Sequence, residues 1–158
     1  MLRRSWVIFC VLLSALTLFS IVSTAEEPVV RAVLYYSETC PHCQAVLKEV
    51  LPPLETQYGM QLDIELVEIS APENYQALLH MESVHAVPPD KATVPEVFIG
   101  DLVLYGEAEI RAELPGLVKE LLRQGGTPWP EGYADAAAPT LVPTRRPKAC
   151  QSCEEEDP

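Results

Sequence analysis

Residues 29–36, VVRAVLYY, admit few architectures. The run is β-branched and aromatic with almost no polar relief, so it belongs to a strand buried on both faces, in a sheet with helices packed on either side. The residues that follow supply such cover. CPHCQAVLKEVLPPLETQYG sets Leu47, Val50, Leu51, Leu54 and Tyr58 at a helical period and closes at Gly59. Pro52 and Pro53 predict a kink or a split within that helix. LDIELVEI, residues 62–69, alternates Leu62, Ile64 and Leu66 with acids and reads as a second strand. Strand, helix and strand in this order, with a crossover of this length, make a parallel, right-handed unit.

The second half has a different rhythm. Pro72 opens a helical stretch, PENYQALLHMES, with Tyr75, Leu78 and Leu79 on the expected apolar face. VHAVPPDKA is too rich in proline for regular structure. VPEVFIGDLVLYG reads as a hairpin, with Gly100-Asp101 suited to a two-residue turn. GEAEIRAELPGLVKELLRQGG then places Ile110, Leu114, Leu117, Val118, Leu121 and Leu122 on one helical face; Pro115 is expected to break that helix and Gly125 to stop it. The element order is β-α-β-α-β-β-α, one α/β domain over residues 28–125. A chain of 158 residues has room for that domain and for extensions at both ends.

Those extensions carry their own signals. Residues 1–25 run from a short basic start, MLRRS, through the uncharged WVIFCVLLSALTLFSIV to a small-residue exit at Ser23 and Ala25. That is the layout of a secretory signal peptide, and the apolar run is close to the length of an N-terminal membrane anchor. Either version exports the rest of the chain; Cys10 lies in the apolar run and reads as part of it. Without Arg3 and Arg4 the net charge moves from −12 to −14, which argues against nucleic acid and anionic membrane surfaces as partners. Residues 127–158 turn to Pro, Ala, Thr and charge without periodicity and are expected to form a disordered tail, with Trp129 a candidate to pack its start onto the domain.

Four cysteines remain beyond the apolar segment, as two C-x-x-C pairs, Cys40 with Cys43 and Cys150 with Cys153. In an oxidising compartment each pair is first a candidate disulfide. The first pair falls where the buried strand meets its helix. Cys40 takes the start of the helix, where free N–H groups and the helix dipole stabilise a thiolate. Pro41 suits the first helical position, which needs no N–H. Cys43 lies one turn on, within reach of a disulfide, and His42 offers a positive charge or a hydrogen bond. A low-pKa thiol with a second one turn deeper is what disulfide exchange needs: one sulfur attacks or is attacked, the other resolves the mixed disulfide.

LYYSETCPHC, with TVPEVFIGDLVLYGEAEI some fifty residues later, resembles the thioredoxin superfamily, closest to its exported thioredoxin-like and glutaredoxin-like members. The resemblance spans about residues 30–124. It implies a thioredoxin-like fold, Cys40 as nucleophile and Cys43 as resolving residue. It also implies a cis Val94–Pro95 bond against the pair, with Thr93 and Val94 pairing with a bound partner chain. The redox-active Cys40–Cys43 disulfide would serve without any cofactor or metal. Two positions depart from the family. Leu34 stands where many relatives bury an acid under the disulfide, which leaves water, His42, Glu38 or Glu96 to take the Cys43 proton. YGEAEI keeps only Gly106 of the glutathione-binding segment and adds Glu107 and Glu109, which argues against glutathione and for exported protein dithiols as partners.

Proline and histidine between the cysteines are the pair of strongly oxidising relatives, so the resemblance favours disulfide donation; a reductase fed by a membrane redox partner uses the same geometry. In CQSCEEEDP, Cys150 and Cys153 offer a passive oxidised tail, a secondary redox pair relaying to Cys40, or a metal ligand pair; the acids that follow should raise both thiol pKa values. A redox-inert binding module and a metallochaperone are the competing functions. His80 and His85 could join a metal site, but closed zinc sites want four ligands and the two cysteine pairs are far apart in sequence.

Overall fold

A computed structural model describes residues 27–136, with the side chain of Ala136 left out. The signal or anchor segment lies outside the described residues, and so does the proposed secondary redox pair, Cys150 and Cys153. Strand β1 (Val30–Tyr36) leads through a short turn into α1 (Pro41–Ala45), a π-helical turn (Val46–Val50) and α2 (Leu51–Tyr58). A 3-10 turn (Gly59–Gln61) precedes β2 (Leu62–Glu68), and α3 (Pro72–Val84) follows. The hairpin of β3 (Glu96–Ile99) and β4 (Leu102–Tyr105) leads into α4 (Gly106–Arg123), and α5 (Tyr133–Ala136) ends the described chain.

The sheet order is β2-β1-β3-β4, with β1 parallel to β2 and antiparallel to β3, and β3 antiparallel to β4. This is the mixed sheet, and the order of elements, that a thioredoxin-like fold implies. Strand β1 is central and alternates between two cores. Ala32, Leu34 and Tyr36 pack with Cys43, Val46, Leu47, Leu51 and Leu54 and with Ile110, Leu114 and Val118 of α4. Val33 and Tyr35 face the other way, onto Phe98 and onto Ala77, Leu78 and Met81 of α3. The double burial read from VVRAVLYY has this cause. At the hairpin Gly100 takes φ +57° between Ile99 and Leu102, which pair directly.

Four expectations change. The proline pair does not end the helical run, which continues from Pro41 to Tyr58: a π-helical turn precedes it, and such a turn shifts the hydrogen-bond ladder by one residue. Pro115 does not break α4, which runs unbroken for 18 residues. It lies on the exposed face, where the Arg111 carbonyl that loses its N–H partner can turn to water. On α3 the buried face is Asn74, Ala77, Leu78 and Met81; Tyr75 and Leu79 are exposed. Finally, packed chain continues past Gly126. The Thr127 N–H donates to the Val29 carbonyl at 2.9 Å and its hydroxyl accepts the Arg31 N–H at 3.2 Å. Trp129 and Tyr133 stack at 4.9 Å and pack on the α3 side of the sheet. Gly126 permits this return, because a Cβ there would sit 2.3 Å from the Val29 oxygen.

Candidate active site

The first two cysteines sit at the C-terminal end of the central strand, where β1 gives way to α1. Cys40 is the N-cap, with extended backbone, and its carbonyl accepts the Gln44 N–H at 3.1 Å to start the helix. Pro41 follows at the first helical position and is exposed, as is His42. Cys43 lies on the inner side of the first turn, fully buried in the core that contains Leu34. Both are free thiols in this structure. Of the cysteines read from the sequence as redox-active, the structure brings together Cys40 and Cys43; Cys150 and Cys153 fall outside the described residues and are not placed relative to them.

The environments of Cys40 and Cys43 differ in kind. Partial burial raises the Cys40 thiol, but the backbone N–H of Cys43, the Cys43 thiol and the backbone N–H of His42 all act on its sulfur and outweigh that effect, so Cys40 ends below the usual thiol range. Burial pushes Cys43 up to about 12; the Ser37 N–H on its sulfur at 3.4 Å opposes this only in part, and the hydrogen bond to Cys40 adds to the rise. One sulfur is therefore poised to ionise and the other to hold its proton. Both are one helical turn apart, on the same end of the sheet.

The opposite wall is the segment before β3. The Val94–Pro95 bond is cis. The Cys40 thiol faces the Val94 carbonyl at 3.7 Å, and the Pro95 carbonyl accepts the Gly106 N–H at 2.8 Å, tying this wall to the start of α4. Thr93 is exposed and Val94 half-buried. The surface around Cys40 thus presents a thiol, an extended backbone segment and the first turn of α4 together.

That first turn supplies Glu107, which the sequence marked as a departure in the glutathione-binding segment but not as a partner of His42. Glu107 Oε2 lies 2.9 Å from His42 Nδ1, and its Oε1 accepts from Arg111 Nη2 at 2.9 Å. The same arginine nitrogen reaches Glu49 Oε2 at 2.9 Å. The Glu107 carboxylate opposes ionisation of Cys40, while His42 and then Arg111 hold its own pKa below the usual carboxylate range. The signal was present, an acid in place of a glycine after the hairpin, but its contact with His42 spans 65 residues of sequence.

Neither of the two carboxylates considered as proton acceptors for Cys43 bonds its sulfur. Glu96 is fully buried and pairs across the strands with Tyr35, whose side chain belongs to the α3-side core; Cys43 belongs to the other. Glu38 is exposed, and the bond it makes to the helix is through its backbone carbonyl, which accepts from Gln44. His85 packs on Phe98 at 5.2 Å and bonds the Glu131 carbonyl at 3.1 Å, and His80 lies exposed on α3. Among the described residues no three His, Cys, Asp or Glu side chains converge on a metal position.

No family model and no curated protein matches the chain. Among solved structures, glutaredoxin 1 from Francisella tularensis complexed with cacodylate is similar at 19% identity and a TM-score of 0.39, covering 58% of this chain and 99% of its own. The holo form of glutaredoxin C1 from Populus tremula x tremuloides is similar at 22% identity and a TM-score of 0.40, covering 73% of this chain and 86% of its own.

Proposed function

We propose that the protein is an extracytoplasmic thiol–disulfide oxidoreductase that exchanges disulfides with protein dithiols through Cys40 and Cys43, oxidising them more readily than it reduces them. The observation that carries this reading is the asymmetry of the pair: a partly exposed Cys40 held below the ordinary thiol range, and a buried Cys43 pushed to about 12. A structural disulfide has no need of either.

In the oxidising direction a partner thiolate attacks Cys40 of the Cys40–Cys43 disulfide. The intramolecular S–S bond breaks, a mixed disulfide forms at Cys40, and Cys43 leaves as a thiolate that takes up a proton. The partner's second thiolate then attacks its own sulfur and expels Cys40 as a thiolate. Two electrons pass to the pair, and a membrane redox partner that accepts them would restore the disulfide. Stabilising the Cys40 thiolate stabilises the reduced pair and makes the disulfide the better oxidant. Export rests on the layout of residues 1–25. The Val94 segment offers its backbone for an extended partner chain, the geometry of strand addition.

The decisive experiment replaces each cysteine singly. Cys43→Ser should trap mixed disulfides with exported proteins, because nothing resolves them, and Cys40→Ser should abolish exchange. Equal residual activity in the two variants would sink the assignment. Whether Cys150 and Cys153 relay electrons to Cys40 is tested by truncation beyond residue 136, since an earlier cut removes the packed Thr127, Trp129 and Tyr133.

A further inference from the structure

The end of α4 that faces Cys40 is occupied by the chain's own acids. The Tyr105 N–H, at the helix N-cap, donates to Glu109 Oε2 at 3.3 Å. Glu107 is fastened by His42, two residues after Cys40, and by Arg111, each at 2.9 Å. Arg111 is shared with Glu49, and Lys91 lies over the Tyr105 ring at 5.9 Å. Three carboxylates (Glu49, Glu107, Glu109) thus stand along this rim with two permanent cations (Arg111, Lys91) and His42, which adds a third charge when protonated; one more acid, Glu38, lies two residues before Cys40. A helix start of this length would otherwise welcome a partner's carboxylate. Here an incoming anion meets a donor already used and a negative charge held in place.

We propose that Glu107 sets the charge preference of the Cys40 site, disfavouring anionic thiols and disulfides such as glutathione and favouring partner segments with Lys or Arg beside the reacting cysteine. This rests on the thiol–disulfide reading above and names the partner class of the same site. The physical basis is Coulombic: a carboxylate bonded to His42, two residues after Cys40, stands within about one Debye length of the reacting sulfur at physiological salt. It adds to the cost of an anion and subtracts from that of a cation, and the same charge opposes ionisation of Cys40.

The test uses the reduced full-length protein and three symmetric disulfides: cystamine (dication), 2-hydroxyethyl disulfide (neutral) and glutathione disulfide (dianion). The Cys40 thiolate attacks one probe sulfur and releases one probe thiolate. Cys43 then loses its proton to solvent and attacks Cys40, expelling the second, so the pair is oxidised by two electrons as the probe becomes two thiols. Rates are divided by those of each probe with 2-mercaptoethanol. Cystamine should then be fastest and glutathione disulfide slowest. Glu107→Gln should compress that ratio by roughly threefold or more, and high salt should compress it in the wild type. Glu107→Ala serves if the glutamine variant fails to fold. A ratio unmoved by either substitution overturns the proposal, as does salt dependence that survives both, which would assign the preference to other carboxylates. Failure of the wild type to react with the neutral probe would overturn the redox reading itself.

Discussion

The Cys40 thiol and the Val94 carbonyl oxygen stand 3.7 Å apart, although 54 residues separate them in sequence. The contact joins the start of the first helix to the segment that enters β3, so the accessible sulfur at this junction is that of Cys40, ahead of Cys43. Burial of Cys43 behind the first helical turn enforces the same order.

Alkylation should report this order directly. In the reduced protein, iodoacetamide should modify Cys40 from below the ordinary thiol range upward. Cys43, raised to about 12, should stay unmodified through neutral pH. Peptide mass mapping after short exposures across a pH series distinguishes the two. Modification of Cys43 at a rate comparable to Cys40 near pH 7 contradicts the assignment of roles.

Removing the negative charge beside Cys40 should make the pair a stronger oxidant. Glu107 raises the Cys40 thiol, so Glu107→Gln should lower it further and stabilise the reduced form. The equilibrium with a dithiol buffer is expected to shift toward reduced protein by about threefold, the scale of one charge acting through solvent at side-chain distance. Thiolate absorbance at 240 nm, followed against pH, gives the acidity, and a redox titration gives the equilibrium. A loss of packing alone would move neither in this concerted way. An unchanged thiol with a more reducing pair would reverse the stated role of Glu107.

What could be read from the sequence was what neighbouring residues decide. The buried strand, the helix opening at Cys40-Pro41, the hairpin at Gly100-Asp101 and the candidate thiol pair all follow from local pattern, and the structure builds these elements where the pattern placed them. Contacts across the sequence were not legible. Glu107 reaches His42 only because the sheet brings the start of α4 beside the start of α1. On α3, Tyr75 and Leu79 fit a helical stripe, yet the sheet selects the face carrying Asn74, Ala77, Leu78 and Met81; Asn74 is held there by its bond to the Glu68 carbonyl. Thr127 and Trp129 sit in a stretch with no periodicity. Their order comes from backbone bonds to Val29 and from ring stacking, neither of which leaves a repeat in the sequence.

Pro115 gives a stability prediction of opposite sign to most substitutions. It lies inside an unbroken helix, on the exposed face, and removes one ladder hydrogen bond to Arg111. Pro115→Ala restores that N–H and a good helix former at a position with no buried contact to lose. The expected gain is about 1–3 kcal/mol by urea unfolding, with no change in the rate of disulfide exchange. A destabilised variant would mean that Pro115 shapes the helix in a way that the rest of the fold depends on.

Glu96 should make the protein less stable as pH rises. Its carboxyl is fully buried on the α3 side of the sheet, and neither oxygen has a well-formed hydrogen bond. Burial first, then the charge of Glu82 on α3, push its pKa from 4.5 up to about 8. Tyr35 of β1 and Tyr105 of β4 lie close enough to feel it, and Tyr133 of α5 acts on Tyr35 in turn. When the chain unfolds this carboxyl releases its proton near pH 4.5, whereas the native state keeps it to about 8. Between those values the folded form binds the extra proton, so stability is whole below pH 4.5, falls as pH climbs toward 8, and stays at its lower level above that. Over that interval the loss is on the order of 5 kcal/mol, at about 1.4 kcal/mol per pH unit. Glu96→Gln keeps the shape of the neutral acid and cannot ionise. Urea unfolding of both proteins at pH 5 and pH 9 should show the variant gaining on the wild type by several kcal/mol at the higher pH and little at the lower one. An equal difference at both values would mean that Glu96 is ionised in the native state, with solvent reaching it in a way that the buried position does not suggest.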